Sequence, residues 1–520
     1  METRFIIVVS IFIAGLIRYT LFRRSSGKKL PPGPSFFTTN FLLLTNLPLQ
    51  FEPVLINLKA KYGKIFTLST FFGPAIFISD HSLAHQALVH KGAVFSDRPK
   101  SFPMRNISSA SYGPTWRLFR RNLASEFMHP SRIKSYSWAR KWVLQVFFDR
   151  LQKQHDQDSG IKVVDHIRYA MFCLLVLMCF GETFDECQIN KIANVQHDML
   201  VKVSSGRFAM LNMFPNLGKI LFRSRWKEFE KLCSDKEEVL IPLIKSRIES
   251  VKSDRENVAY VDTLVNLEVP KHDGDENGGK LSYKEMVSMC SEFFNSGTDT
   301  TSTALQWIMA NLVKHPHIQM KLYDEIVGVV GPPPRSRSCG VELETVIKEE
   351  DLKKMLYLKA VVLEGLRRHP PFHFVLPHRV MEEVEVDGYM VPEGATINFM
   401  VGEMGLDPNV WDEPMVFKPE RFLAKDGGVL DITGRRGIKM MPFGAGRRIC
   451  PGFDLALFHL EYFVANSIWY FDWTVADGYQ VDLSEEVELT VVMKSPLRAR
   501  VTLRAENQTT RVDECTLEKF

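Results

Sequence analysis

Apolar residues fall into three patterns along the chain: one nearly unbroken run, a few short alternating stretches, and many helical stripes. The unbroken run, Phe5 to Phe22, is almost wholly apolar apart from Arg18. Its clean part ends at Ile17, and with its flanks it reaches ~18 residues, the lower limit for crossing a bilayer. Arg18 would snorkel to the interface. Arg23-Arg24-Ser25-Ser26-Gly27-Lys28-Lys29 follows and marks the cytoplasmic side. A cleaved signal peptide is the rival reading, but no small-x-small cleavage site comes after the run. The expectation is a retained signal anchor with its basic flank over residues 1–30, the body lying in the cytosol. Pro31-Pro32-Gly33-Pro34 then makes a stiff, non-helical joint at 31–34.

The alternating stretches predict two hairpins. Lys64 to Thr70 and Ala75 to Ser79 read as strands joined by Phe72-Gly73-Pro74. Val384-Glu385-Val386 and Tyr389-Met390-Val391 read as strands joined by the Asp387-Gly388 turn. Most other long segments carry helical periodicity, without an internal repeat. The longest begins at the capping box Ser282-Tyr283-Lys284-Glu285, with Leu281 and Met286 as its hydrophobic staple. It runs to Lys314, before His315-Pro316, for ~32 residues and ~48 Å, enough to cross a whole domain. Polar, glycine-bearing Pro270 to Lys280 and Gly331 to Gly340 read as surface loops. The tail, 505–520, is polar. The expected class is mainly α with small β-sheets, a single large domain over 35–504.

Composition changes this picture little. With 45% hydrophobic and 11% aromatic residues the chain can bury a large core, and a net charge of +4 does not suggest nucleic acid. Its eight cysteines include no CxxC pair or framework spacing, so they read as mostly reduced and buried, with no zinc site.

One cysteine stands apart. Pro442-Phe443-Gly444-Ala445-Gly446-Arg447-Arg448-Ile449-Cys450-Pro451-Gly452 is glycine-rich and precedes an apolar helical stretch from Phe453 to Ile468. A thiolate at a helix N-terminus is favoured by the backbone N–H groups and suits an iron ligand. Gly446 and Gly452 would let the backbone approach a flat ring and turn beside it. Arg448 would face an anionic edge of that ring, and Phe443 would keep water from the sulfur. A buried structural cysteine is the competing reading. A dinucleotide loop fits less well, because Ile449 holds the third glycine position and no strand pattern leads in.

The pattern F-x-x-G-x-R-x-C-x-G resembles the haem-binding signature of the cytochrome P450 monooxygenases, and other segments resemble that family in order. The proline run resembles the hinge of its microsomal members. Ser296-Gly297-Thr298-Asp299-Thr300-Thr301 resembles the oxygen-binding motif A/G-G-x-D/E-T-T, with Ser296 departing at the first position. Glu364-Gly365-Leu366-Arg367 matches E-x-x-R, which chance alone yields roughly twice in a chain of this length. Phe417-Lys418-Pro419-Glu420-Arg421-Phe422 resembles the PERF motif. Taken together, in family order, they make the chain resemble a plant-type (A-type) microsomal cytochrome P450 along nearly its whole length.

The resemblance implies haem b (iron protoporphyrin IX) with Cys450 as its ligand. It implies that Trp116 and Arg120, one helical turn apart, hold a haem propionate, with Arg98 and His378 as further contacts. For Trp116, Arg120 and Arg98 the plainer reading is a half-buried or solvated side chain, and for His378 an ordinary satisfied histidine. Asp299 and Thr300 would deliver protons to bound oxygen; otherwise Thr300 bonds back to a carbonyl and Asp299 faces water. Gly297, costing about 1 kcal/mol in mid-helix, would admit the ring or oxygen. Glu364, Arg367 and Arg421 would form a buried triad that holds the haem loop.

Family position implies a substrate pocket at Ser101 to Arg105, Phe208 to Phe214, the Phe293 side of the long helix, Pro371 to Leu376 and Leu489 to Val491. Phe208, Phe214, Phe294, Phe372 and Phe374 would favour a lipophilic ligand, though each alone also fits a core. Phe208 to Leu221 would also rest on the membrane. No flavin or nicotinamide motif is present, so NADPH–cytochrome P450 reductase is implied as partner. Arg117, Arg121, Arg435, Arg436, Lys439 and Arg447 would be its docking face. The implied reaction inserts one atom of O2 into a lipophilic small molecule at the endoplasmic reticulum membrane. A haem-thiolate isomerase or dehydratase, and a membrane-anchored haem-binding or sensing protein without turnover, stay open as alternatives.

Overall fold

Strands Gly73–Ile78 and Thr396–Phe399 run side by side and parallel, with Ala75 opposite Thr396 and Ile78 opposite Phe399. The chain between them forms most of the helical body and lays down the edge strand His378–Arg379 before it returns. The computed structural model describes residues 29–45, 51–99, 106–153, 160–204, 206–208, 211, 215–250, 258–270, 279–334, 345–423 and 430–504. The Phe5–Phe22 run, the tail from Ala505, the Ser101–Arg105 segment and most of both surface loops lie outside the described residues.

The first hairpin pairs Ile65–Thr70 with Gly73–Ile78, and Phe66 stacks on Phe77 at 5.2 Å between ring centroids. Gly73 and Pro74 lie within the second strand, so the turn falls one residue earlier than the sequence suggested, at Phe71-Phe72. The Thr70 hydroxyl closes it, accepting from Phe72 N–H at 3.1 Å and donating to the Gly73 carbonyl at 2.8 Å. Gly73 has φ +120°, a value that side chains rarely take. The second hairpin forms as expected: Asp387 (φ 53°) and Gly388 (φ 76°) both take the positive φ that suits a tight two-residue turn. Strand His378–Arg379 completes the four-stranded sheet.

The proline joint lies along this sheet. Thr67 N–H donates to the Pro32 carbonyl at 2.8 Å, and Met390 N–H to the Lys29 carbonyl at 3.1 Å. A Cβ on Gly33 would lie 1.8 Å from the Thr67 carbonyl oxygen, so no other residue permits this approach without a shift.

The central helix spans Tyr283–Lys314 and carries the expected capping box between Ser282 and Glu285. Every residue from Thr301 to Val313 is buried. Asn295, Ser296, Gly297, Asp299 and Thr300, by contrast, reach partial or full exposure. The helix is therefore polar where its environment opens. It packs on helix Val163–Phe180, which alone among the described residues is long and apolar enough to cross a membrane, and which is 83% buried inside the fold. That burial makes it a core helix. Of the described cysteines, Cys173, Cys179 and Cys290 are buried as expected, while Cys187 is exposed.

Candidate active site

Two helix ends and one loop bring the arginines together. Helix Pro114–Arg121 starts with proline in its first turn and places Trp116 and Arg120 on one face. The 3-10 turn Gly446–Arg448 carries Arg448 into the same region. Arg448 donates to the carbonyls of Ser96 (2.7 Å), Ile107 (3.1 Å) and Ala110 (2.7 Å), and its guanidinium lies 4.4 Å from the Trp116 ring centroid. Arg98 donates to the carbonyls of Ser108 (3.0 Å), Leu376 (2.8 Å) and Pro377 (3.0 Å). Arg120 donates to the Ile449 carbonyl at 2.5 Å, one residue from Cys450.

These cations are poorly compensated. Among the described residues none of Arg98, Arg120 and Arg448 has a carboxylate within ion-pair distance. Burial pulls Arg448 down to about 9, with Arg98 and Arg120 adding repulsion. Burial likewise pulls Arg98 down to about 10, against Asp97, and lowers Arg120, against Cys450. Trp116 Nε1–H is buried without a partner beside them. An orphan donor among uncompensated guanidiniums calls for an anionic ligand with several acceptor oxygens. The propionates of a haem have that chemistry.

His378 has a partner inside the protein, as the plainer reading of it expected. It is buried, and Nδ1 lies 2.5 Å from the Phe95 carbonyl, which can only accept. Burial, then Arg98, holds its pKa at about 3. The neutral ring has spent its one proton on Phe95, so it donates from Nε2 only once an anion has recharged it.

Cys450 precedes helix Phe453–Tyr470, with its N–H on the Phe443 carbonyl at 2.9 Å. Burial pushes the thiol up, and the Gly452 N–H and Arg120 oppose that rise. Gly444 and Gly446 both have φ +70°. The close approach that Gly446 permits is to Leu88, whose carbonyl oxygen would lie 1.9 Å from an added Cβ. Gly452 has an ordinary φ of −98°, so the sharp turn expected there belongs to Gly444 and Gly446.

Glu364, Arg367 and Arg421 assemble as expected. Glu364 is fully buried and accepts from Arg367 Nε (2.7 Å) and an Arg367 terminal nitrogen (2.9 Å), Arg421 Nε (3.1 Å) and Lys418 N–H (2.8 Å). Phe422, next to Arg421, joins Met440 and Ile432 in an apolar cluster against which Phe443 packs. This carries the triad's position to the cysteine loop.

On the central helix, the Thr300 hydroxyl donates to the Ser296 carbonyl at 2.6 Å. Asp299 lies 3.3 Å from Arg168 of helix Val163–Phe180 and does not simply face water. Burial raises its carboxyl, while Arg168 and His197 pull it back. A Cβ on Gly297 would lie 2.7 Å from Leu175 Cδ1, so this glycine admits the neighbouring helix, and the expected opening toward a ring is not where its missing side chain points. Phe294 is also core: it is fully buried against Phe172 and Phe180.

Glu292 escaped the sequence reading. It accepts from the N–H groups of Ile107 (2.8 Å) and Ser108 (2.7 Å), the segment whose carbonyls receive Arg98 and Arg448. The available signal was a lone carboxylate between Ser291 and Phe293 in the first half of the helix, on a face it shares with Ser288, Asn295 and Ser296.

The family model for cytochrome P450 matches residues 30–502. The chain belongs to the cytochrome P450 family. Cytochrome P450 89A9 of Arabidopsis thaliana is 44% identical over 514 residues, covering 96% of this chain and 98% of that protein. Cytochrome P450 71B8 of the same plant is 28% identical over 525 residues, with 96% and 98% covered. Two solved structures of a zebra fish cytochrome P450 share the fold at 22% identity. The one with progesterone has a TM-score of 0.70 and covers 88% of this chain, and the one with abiraterone 0.68 and 87%, each matched over 100% of its own chain. The chain is thus a plant-type haem-thiolate P450, an oxidoreductase of the monooxygenase class.

Proposed function

We propose that this P450 inserts one oxygen atom from O2 into a small lipophilic metabolite, with electrons passed from NADPH by a separate reductase. The observation that carries the reading is the set of arginines without an ion-pair partner among the described residues, with the orphan Trp116 N–H, gathered beside Cys450. Cys450 would ligate the iron of haem b, with Trp116, Arg98, Arg120, Arg448 and a recharged His378 on its propionates. When bound, the haem supplies O2 binding and two-electron O–O cleavage, favoured by the electron-rich thiolate.

The chain's own residues do the rest. Arg120 and the Gly452 N–H stabilise negative charge on sulfur. Glu364, Arg367 and Arg421 fix the loop that presents it. Thr300 spends its proton on the Ser296 carbonyl and so offers lone pairs to a water or a protonated oxygen. Asp299 is raised by burial and buffered by Arg168, which suits a group that must both hold and release a proton. Two protons and two electrons convert the second oxygen atom to water.

Arg117, Arg121, Arg435, Arg436, Lys439 and Arg447 are all exposed, which supports a docking face for an acidic electron donor. Exposed Phe37, Phe41, Ile220 and Leu221 support contact with the membrane that the amino-terminal segment would enter, with the catalytic body on the cytosolic face of the endoplasmic reticulum. The test has two steps. A reduced, CO-bound spectrum reports thiolate ligation. Incubation with NADPH, reductase and isotopically labelled O2 then reports whether one labelled atom enters product. Thiolate ligation without reductase-dependent O2 consumption would refute the monooxygenase reading.

A further inference from the structure

After the helix Leu356–Arg368, the chain runs His369-Pro370-Pro371-Phe372-His373-Phe374-Val375-Leu376. His373 has a carboxylate on each ring nitrogen. Nδ1 lies 2.5 Å from Glu52 of helix Glu52–Tyr62, and Nε2 lies 3.1 Å from Glu485 of strand Glu485–Val487. The other oxygen of Glu485 meets His369 Nδ1 at 2.6 Å. His369 is fully buried and stacks on Trp307 of the central helix, with centroids 3.8 Å apart. Trp307 Nε1 donates to the Val491 carbonyl, and Val491 N–H to the Pro371 carbonyl, both at 2.8 Å. Gly402 makes room for His373: a Cβ there would lie 2.9 Å from the ring.

A neutral imidazole has one N–H and one lone pair. Placed between two carboxylates it would turn the lone pair toward negative charge, so the two close carboxylates favour the imidazolium. We propose that His373 is a positioning residue for substrate selection: its charged ring ties the strip Pro371–Leu376 to helix Glu52–Tyr62 on one side and to hairpin Glu485–Met493 on the other, setting the gap between them. This rests on the reading of Pro371–Leu376 and Leu489–Val491 as pocket wall.

The surrounding charges agree. Burial works against a charged His373, yet the carboxylates of Glu485 and Glu52 beside its ring hold its pKa at about 9. Burial opposes charge on Glu485 too, and His369 and His373 together bring it down to about 2. Burial holds His369 at about 4, so it stays neutral. Among the described residues, Arg368, 3.9 Å from Glu485, is the other cation in ion-pair contact with these two carboxylates, so two cations face two carboxylates.

The test uses the haem-loaded full chain and two ligands of iron. Clotrimazole reaches from the iron into the pocket with three aryl groups, whereas imidazole does not. The ratio of their optical dissociation constants reads pocket shape and cancels changes at the iron. The parent should favour clotrimazole at pH 7.5, and that preference should fall as pH rises through about 9, where the folded ring loses its proton. In His373→Gln the preference should be about tenfold weaker at pH 7.5, the size of a lost charge-assisted hydrogen bond, and flat with pH. Haem content should be unchanged. Glu485→Gln, which keeps His373 beside Glu52, should show the same weakening at pH 7.5 with any remaining fall moved below pH 9, and serves if His373→Gln does not load haem. A variant preference that still falls near pH 9, or one equal to the parent's, overturns the proposal. Phe372→Ala and Leu489→Ala separate the two readings. If they alter the preference and His373→Gln does not, the pocket stands and the clamp fails. If none of the three alters it, the pocket assignment fails as well.

Discussion

Glu364 and Asp299 are both helix-borne carboxylates close to the site, and their surroundings differ in every respect. Glu364 is fully buried and receives four hydrogen bonds, from Arg367, Arg421 and Lys418. Asp299 is 22% exposed and has Arg168 at 3.3 Å as its ion-pair partner. The holding role proposed for Glu364 needs a carboxylate that is kept still. The proton-passing role proposed for Asp299 needs one that changes charge at modest cost. The triad side therefore pairs its acid redundantly, and the central helix keeps its acid short of partners.

The sharpest way to break this contrast is Glu364→Ala. Removing one member of a buried ionic network costs about 3–5 kcal/mol and strands Arg367. The expected result is protein without haem, with a lower denaturant midpoint. Normal haem content in the CO spectrum would contradict the holding role. Thr300→Ala and Asp299→Asn come next, and should lower product formed per NADPH by about a hundredfold while haem loading stays normal. Asp299→Asn should also leave the thermal midpoint at neutral pH no lower than the parent's. Burial raises the native pKa of Asp299 above its unfolded value, so ionising it costs stability as pH rises through that raised value, and the substitution removes the cost.

Trp116→Phe is a smaller probe. It deletes the orphan N–H and keeps the ring under Arg448, so haem should dissociate faster by about tenfold in a transfer assay. Neutralising Arg435 and Arg436 should have the least effect, slowing the first reduction severalfold at low salt and less at high salt. An unchanged rate would move the docking face elsewhere.

The holding side was legible in the sequence because its residues are fixed by spacing. Glu364 and Arg367 share a helix turn, and Arg421 and Cys450 sit in short rigid motifs. The central helix was legible to its last residue, since Ser282, Glu285 and His315-Pro316 mark its ends chemically. Contacts across the fold were not. Nothing local says that Gly297 meets Leu175, that Gly446 meets Leu88, or that Phe294 closes on Phe172 and Phe180. Glycine and phenylalanine read alike whether they face a ligand or a neighbouring helix. Glu292 and His373 were missed for the same reason, because their partners are backbone N–H groups and carboxylates far away in the chain.

Lys29 and Pro32 are stitched to the Met390 and Thr67 strands, and Gly33 leaves no slack between the joint and the sheet. The domain thus ends in a handle and not a string. A pull or tilt applied there would turn the four-stranded sheet as a rudder is turned by its tiller.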